Sequence, residues 1–454
     1  MAEGEASVVK KLIAGWGRYP VQRCELVRPE RYAELKMFAE RGIVRGQGRS
    51  YGDAALNRDG RVILSERLNR ILDFDAGTGL LRAEAGVTLQ DVLDIAVPLG
   101  WFPPVTPGTK HVSLGGCVAA DVHGKNHHCA GAFSEHVREI EMILADGTST
   151  HCSPGQNAEL FWATVGGMGL TGIIGEVTLQ LIQIESAQVL VQHRSASDLE
   201  AGFRLLDGAE FDDVYTVAWI DCLARGRSLG RNIVMRGHHA VLSDLRPEDR
   251  AQPLARAPRR QQRVPFDLPS WLLNRLTVGA FNALYYWSQG AKQEPFLSDY
   301  DSYFYPLDAV AGWNRVYGRN GFLQYQCVLP TAGAFDGMRQ LLELLAASRR
   351  ASFLAVLKRF GRASQGMLSF PMPGYTLALD LPLRDAGLFD LLERLDEVVL
   401  RSGGRVYLAK DCRLAPNAFR AMYPRYAEWL TVKRAVDPNN RFSSSLSRRL
   451  QLAT

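Results

Sequence analysis

Glycines, histidines and paired amides carry the chemical signals in this sequence. Residues 45–52, RGQGRSYG, hold Gly46, Gly48 and Gly52 in one short loop. Two more glycine-dense stretches follow, PPVTPGTKHVSLGGCVAADVHGKNHH at 103–128 and FWATVGGMGLTGIIGEV at 161–177. Successive backbone N–H groups free of side chains form concave anion cradles, suited to a pyrophosphate. A second such loop can face the polar edge of a flat heteroaromatic ring. Together they suggest a large cofactor with a phosphate middle and a planar end. Gly46-Gln47-Gly48 misses the Rossmann fingerprint, because the third glycine is one residue late, and no Walker lysine–hydroxyl pair exists. The cluster His123, His127 and His128 could suggest a metal. No carboxylate or cysteine completes a plausible set, so none is expected. Gln324 and Gln326 alternate onto one face of an apolar strand, where buried amides need partners.

The elements that must hold these residues can be read from periodicity. RPERYAELKMFAERG (28–42) predicts a helix with Pro29 at its start, an apolar stripe of Tyr32, Leu35 and Phe38, and Gly42 as the stop. IVRGQG (43–48) reads as a strand running into the glycine loop. ILDFDAGTGLLRAEAG (71–86) predicts two strands joined by a glycine turn. TLQDVLDIAVPLG (88–100) opens with a Thr88/Asp91 capping box and continues at helical spacing. HVREIEMILADGTSTHCS (136–153) predicts a hairpin turning at Asp146-Gly147, and GIIGEVTLQLIQIE (172–185) is strand-like. The first half is therefore α+β, with short helices on mixed sheets.

After about Glu185 the character changes. VYTVAWIDCL, RNIVMRGHHAVL, FLQYQCVLP, ASFLAVLKRFG and YTLALDLPL all read as strands, with helical segments such as AGAFDGMRQLLELLAAS between them. A second domain on an antiparallel sheet is expected. Residues 244–301 are irregular, with the arginine-rich RAQPLARAPRRQQRVP followed by the aromatic WLLNRLTVGAFNALYYW. One reading is a solvated loop and a packed helix. The other is a lid that meets a membrane or an apolar tail, its arginines facing lipid phosphates.

The bulk numbers exclude some classes. Apolar residues make up 46% and charged residues 22% of 454, ordinary for a globular protein. A net charge of +5 is too small to argue for nucleic acid. The seven cysteines are odd in number, scattered and without a C-x-x-C pair, which fits a reducing compartment. No apolar run suits a secretory signal or a membrane span. A cytoplasmic protein with at most peripheral membrane contact is expected.

The order RGQGRSYGD, PGTKHVSLGG, HGKNHH, GGMGLTGIIGEVTLQL resembles the FAD-binding fold of the vanillyl-alcohol-oxidase superfamily. Within it, GRSYGD, HGKNHH, ELFWATVGG, GLTGII, WNRVYG, GFLQYQ, GGRVYLAKDCR and MYPR are similar to the decaprenylphosphoryl-β-D-ribose 2-oxidase family. The likeness runs from Gly15-Trp16-Gly17 to SRRL near the end. It implies an α+β, two-domain fold of that superfamily's type, with an FAD-binding domain at 1–187, an antiparallel-sheet substrate domain at 188–404 and a returning segment at 405–454. It implies that Arg45, Gly46, Gln47, Gly48, Arg49, Ser50, Tyr51, Gly52 and Asp53 approach the FAD pyrophosphate. Gly108, Ser113, Leu114, Gly115, Gly116, His123, Ile174 and Tyr407 would also touch FAD. Arg49 stands where some superfamily members attach FAD through a histidine, so non-covalent FAD is expected.

The implied reaction oxidises the ribose C2 hydroxyl of a polyprenylphosphoryl-β-D-ribose to a ketone. An NAD(P)H-dependent keto-reductase partner would complete epimerisation to the arabinose donor for cell-envelope polysaccharide. An oxidase of a soluble alditol or aldonolactone is the alternative. Lys410, in YLAKD, matches the family's active-site lysine, which acts as base only if burial or a nearby cation lowers its pKa. His123 would lie beside the flavin. Tyr51, Lys125, Trp219, Gln324, Gln326, Lys358 and Phe360 match substrate-pocket positions. The sequence departs from the family where Tyr375 and Thr376 replace Trp-Asn, Ala378 replaces a common cysteine, and Phe304 replaces a common tyrosine. These positions are expected to line or border the pocket. The missing thiol predicts insensitivity to inhibitors that attack it.

Overall fold

The computed structural model describes residues 8–208, 214–256, 261–269, 272–350, 352 and 354–453. Residues 257–260 of the arginine-rich stretch and Trp271, at the start of the aromatic one, lie outside them. Two sheets build the first half. Strands Val9–Ile13, Gln22–Val27, Arg61–Leu64 and Ile43–Arg45 form one in that order, the last three parallel. The other is antiparallel, in the order Ile71–Asp75, Leu80–Glu84, Ile173–Gln180, Val137–Ile143 and Ser149–Cys152. Its alternating apolar side chains, Leu81, Ala83, Val177 and Leu179, are fully buried with Leu114, Cys117 and Val118 of helix Leu114–Ala119.

Local signals set several of these boundaries. Helix Leu89–Ala96 carries the capping box, with Thr88 accepting from the Asp91 N–H and Asp91 from the Thr88 N–H. Gly79 and Gly147 turn the two hairpins at φ +72° and +86°, conformations glycine adopts without strain. The helix expected over 28–42 is much shorter. It is a 3-10 turn, Tyr32–Glu34, followed by Leu35–Phe38. Leu35, Phe38 and Ala39 reach the core, with Tyr32 partly buried against it, and the chain must reverse at Gly42, φ +140°, to enter strand Ile43–Arg45.

An eight-stranded antiparallel sheet dominates the second half. Its order is Phe296–Asp299, Gln188–Ala196, Asn232–His239, Tyr215–Ile220, Ala355–Phe360, Gly374–Pro382, Phe322–Pro330 and Arg405–Val406. One face packs on helices Leu199–Asp207, Ala334–Ser348 and Gly387–Arg401, burying Tyr325, Cys327, Leu377 and Leu379. Side chains alternate along a strand, so Gln324, Gln326, Thr376, Ala378, Asp380 and Lys358 share the opposite face. Gln324, Gln326, Ala378 and Lys358 of that face line the floor of the site described next.

Beyond the last strand, helices Pro416–Met422, Tyr426–Val436 and Ser445–Arg449 return to the first half. Trp429 Nε1 donates to the Ala163 carbonyl at 3.1 Å, and the Ser445 N–H to the Leu56 carbonyl at 2.8 Å. Arg449 bridges the buried Asp53 and Asp411, each at 2.8 Å.

Candidate active site

A cavity of about 670 Å³ runs between the glycine loops and the open face of the large sheet. Its first end is main chain. Gly46, Gln47, Gly48, Arg49, Ser50 and Tyr51 line it, with Gly108, Ser113, Gly115, Gly116, His123, Ile174 and Tyr407. The two glycine loops touch, since a Cβ on Gly46 would stand 2.1 Å from Ser113 Oγ, and Gly115 packs in turn on the 71–86 segment, where its Cβ would stand 2.8 Å from Ala85 Cβ. Gly48, at φ +63°, requires the left-handed conformation. Among the described residues, the N–H groups of Gln47, Gly48, Arg49 and Ser50 donate to no backbone carbonyl. At Gly108 a Cβ would meet nothing within 4 Å.

Other expected cofactor residues stand behind this wall. The Arg45 guanidinium points away, donating to the Ala14 carbonyl at 2.7 Å. Gly52 is pressed against the backbone of Asp411. Asp53 pairs with Arg449, and Leu114 is in the core. Arg49 lies 4.0 Å from the Trp16 ring centroid and donates from Nε to the His111 carbonyl.

Lys410 enters from the segment after Arg405–Val406. The Tyr51 N–H donates to the Ala409 carbonyl at 3.1 Å, locking the lysine segment to the glycine loop. Lys410 Nζ stands 4.0 Å from the Tyr51 ring centroid. Burial lowers its pKa to about 7, opposed by Asp380 and assisted by Lys358. Burial likewise lowers Lys358 to about 8, and burial with Lys358 lowers Lys125 to about 7. Asp380, fully buried, is pushed up to about 7 by desolvation, against hydrogen bonds from Gln324 and Tyr317 and the charge of Lys410. Its carboxylate accepts from Gln324 Nε2 at 2.5 Å and from the Tyr317 hydroxyl at 3.2 Å.

His123 is set by a chain of hydrogen bonds. The Thr376 hydroxyl gives its one proton to the Cys327 carbonyl at 2.8 Å. It can therefore only accept from Gln326 Nε2, 3.2 Å away. That fixes the amide orientation, and the same nitrogen donates to His123 Nε2 at 2.8 Å. The proton of the neutral ring then sits on Nδ1, which is buried with no partner. Burial first, then Lys358, His127 and Lys410, keep the imidazole neutral by pulling its pKa well below the usual value.

Tyr51, Lys125, Trp219, Gln324, Gln326 and Lys358 all face the cavity. Lys125 Nζ donates to the Tyr303 carbonyl and lies 3.9 Å from that residue's ring centroid. Phe360 stands behind the wall, its ring 4.8 Å from His123 and 4.4 Å from His127. Tyr375, expected at the pocket, faces the other way. It stacks on Phe203 at 4.3 Å and bonds Asp207, because strand alternation sends it opposite to Thr376. Phe304 and Ala378 line the cavity. Asp380 and Thr376 were not singled out from the sequence as polar partners. Their signal was available: Thr376, Ala378 and Asp380 recur at period two in GYTLALDLP, the pattern that marks Gln324 and Gln326.

The charges on the wall share one sign. Arg49, Lys125, Lys292, Lys358 and Lys410 line it, and no carboxylate among the described residues does. An anionic ligand suits such a surface. No group of three His, Cys, Asp or Glu among the described residues could hold a metal ion. The unpaired N–H run at the glycine loop, the open space at Gly108 and the orphaned His123 Nδ1–H are features that a flavin dinucleotide would satisfy.

Comparisons with known proteins agree. A family profile described as FAD binding domain matches residues 32–153, and one described as D-arabinono-1,4-lactone oxidase matches 384–450. The chain is 39% identical over 462 aligned residues to the decaprenylphosphoryl-beta-D-ribose oxidase of Mycolicibacterium smegmatis, covering 100% of both. It is 29% identical over 112 residues to human Delta(24)-sterol reductase, covering 25% of this chain and 22% of that one. By this full-length likeness and the matched FAD binding domain, the chain belongs to the decaprenylphosphoryl-β-D-ribose oxidase family and is an FAD-dependent oxidoreductase.

Proposed function

We propose that this chain oxidises the ribose C2 hydroxyl of a polyprenylphosphoryl-β-D-ribose to the 2-keto compound, the first half of epimerisation to an arabinose donor. The observation that carries this reading is a cavity wall whose five ionisable amine and guanidine side chains face no carboxylate, set beside a floor that is apolar over part of its length. A phosphate-bearing sugar on an apolar chain matches both. Bound FAD, held non-covalently by the two glycine loops, supplies the hydride acceptor. Lys410, lowered to about 7, takes the hydroxyl proton. Gln324 and Gln326, held by Asp380 and Thr376, orient the sugar hydroxyls. Lys125 and Lys358 face the phosphate. The ketone is returned to an alcohol by a separate NAD(P)H-dependent reductase.

The same reading includes peripheral contact with a bilayer. Helix Arg275–Gly290 covers part of the cavity with Phe281, Tyr285 and Gln289. Its outer face exposes Leu276 (82%), Leu284 (63%) and Trp287 (74%). An apolar stripe over a lipid-accepting cavity suits the interface plane of a membrane. No helix among the described residues is long and apolar enough to cross one. The alternative, a soluble alditol or aldonolactone oxidase, is favoured by the match over 384–450 alone. Anaerobic bleaching of the bound flavin separates them. Prenylphosphoryl-ribose bleaches the enzyme and free alditols do not; the opposite outcome overturns the reading. Acid precipitation that leaves flavin on the polypeptide would overturn non-covalent attachment.

A further inference from the structure

The floor of the cavity changes chemistry along its length. Its polar part carries Gln324, Gln326 and Lys358. Towards the far edge, Trp219 is opposite Val356, Val217 opposite Met235, and Met235 opposite His193. These side chains face the cavity. The floor between the Lys358 strand and the His193 strand is therefore apolar over three strand spacings, about 14 Å.

The apolar floor lies in a trough. Helix Arg275–Gly290 forms one wall, with Phe281 and Tyr285 stacked on each other and Tyr285 against Trp219 at 4.8 Å. That wall is anchored. Asn282 Nδ2 donates to the buried Asp221 at 2.7 Å, and the Tyr286 hydroxyl donates to the Ala196 carbonyl at 3.3 Å. Tyr303 and Phe304 form the other wall beside Lys125. At the far edge, His193 and Lys292 flank the Phe296 ring at 5.2 and 5.4 Å, and Lys292 is exposed to solvent. The trough thus starts at cations that suit a phosphate and ends at an open rim.

We infer that this trough is the subsite for the first isoprene units of the lipid chain, and that Val217, Met235 and Tyr285 determine how much chain the enzyme reads. This rests on the reading of the substrate as a prenylphosphoryl sugar. The occupant follows from the chemistry of the walls. An apolar chain leaving a phosphate at Lys358 has an apolar, sheltered path to the rim, whereas a second sugar would leave its hydroxyls unpartnered there.

The test uses the flavin-loaded enzyme and prenylphosphoryl-riboses of one, two, three and more isoprene units. Each buried unit removes a five-carbon apolar surface from water, so kcat/KM should climb at least about tenfold per unit, and up to about a thousandfold where a unit is buried completely. It should level once the chain passes the rim, near the third unit. In Met235→Gln and Val217→Phe the ratio between the three-unit and one-unit substrates should collapse towards one, while flavin content and thermal midpoint report folding. A wild-type enzyme indifferent to chain length overturns the inference without any variant. Folded, flavin-loaded variants that keep the full wild-type ratio overturn it too. If no chain length bleaches the flavin, the substrate reading itself fails and the inference falls with it.

Discussion

In the proposed reaction Lys410 would accept a proton only because the fold lowers its pKa, and Asp380 tunes that pKa. At the ordinary value of 10.5, a lysine at pH 7 is neutral about 0.03% of the time; at about 7 it is neutral half the time. Burial thus raises the reactive fraction more than a thousandfold. Asp380 works in the opposite direction, its negative charge raising the Lys410 pKa. A carboxylate close to a cation commonly moves its pKa by about 1–3 units. Asp380 titrates near 7 itself, so it carries its charge only part of the time and the effect is about one pH unit. With the neutral amine as the proposed active form, single-turnover flavin bleaching should rise about tenfold per pH unit below pH 7 and level above it. In Asp380→Asn that limb should move about one pH unit towards acid. In Lys410→Met the limb should vanish and the plateau fall by about 10² to 10⁴. The titratable groups around Lys410 are Asp380, Lys358 and the buried Tyr51, whose phenol burial raises well above its usual value, with Lys125 titrating near 7 beside Lys358 and His123 far below. An acid limb that survives in Lys410→Met, or one that moves towards alkali in Asp380→Asn, refutes the assignment.

Further outcomes are expected at other positions. Thr376→Val frees the Gln326 amide to turn, so His123 should gain the Nε2–H tautomer in ¹⁵N spectra and turnover should fall roughly two- to tenfold; Thr376→Ser should restore both. Thiol-directed covalent ligands of the pocket should leave the enzyme active, since none of the seven cysteines lines the cavity. Ala378→Cys should make it alkylatable there, read by intact mass. Gly108→Ala meets no protein atom, so the thermal midpoint of flavin-free protein should hold while flavin affinity drops. Lys433→Met strands the buried Asp437 and breaks bonds to the Leu170 and Phe442 carbonyls, which should cost about 3–5 kcal/mol in denaturant unfolding.

Local signals were legible because their causes are local. The Thr88 cap, the turns at Gly79 and Gly147 and the period-two strands each depend on a few neighbouring residues. The glycine loops were legible for the same reason: main chain without side chains announces close approach before any partner is known. The helix expected over 28–42 is shorter than its pattern because its length depends on the core it meets, which takes in only the segment from Tyr32 to Ala39.

By itself the amino-acid sequence determined the glycine cradles, the alternation of Gln324 and Gln326, and the family to which the chain belongs. Only the tertiary structure decided which charges meet. Asp380 and Lys410 lie thirty residues apart, and neither is unusual alone; both titrate near 7 because eight strands and a glycine loop desolvate them together. It also decided that Phe360 backs His123 and that Tyr375 leaves the site. Propensity and pattern follow from contacts between near neighbours. A pKa, a tautomer or an apolar trough follows from what the folded chain removes from water, and that depends on residues brought from far along it.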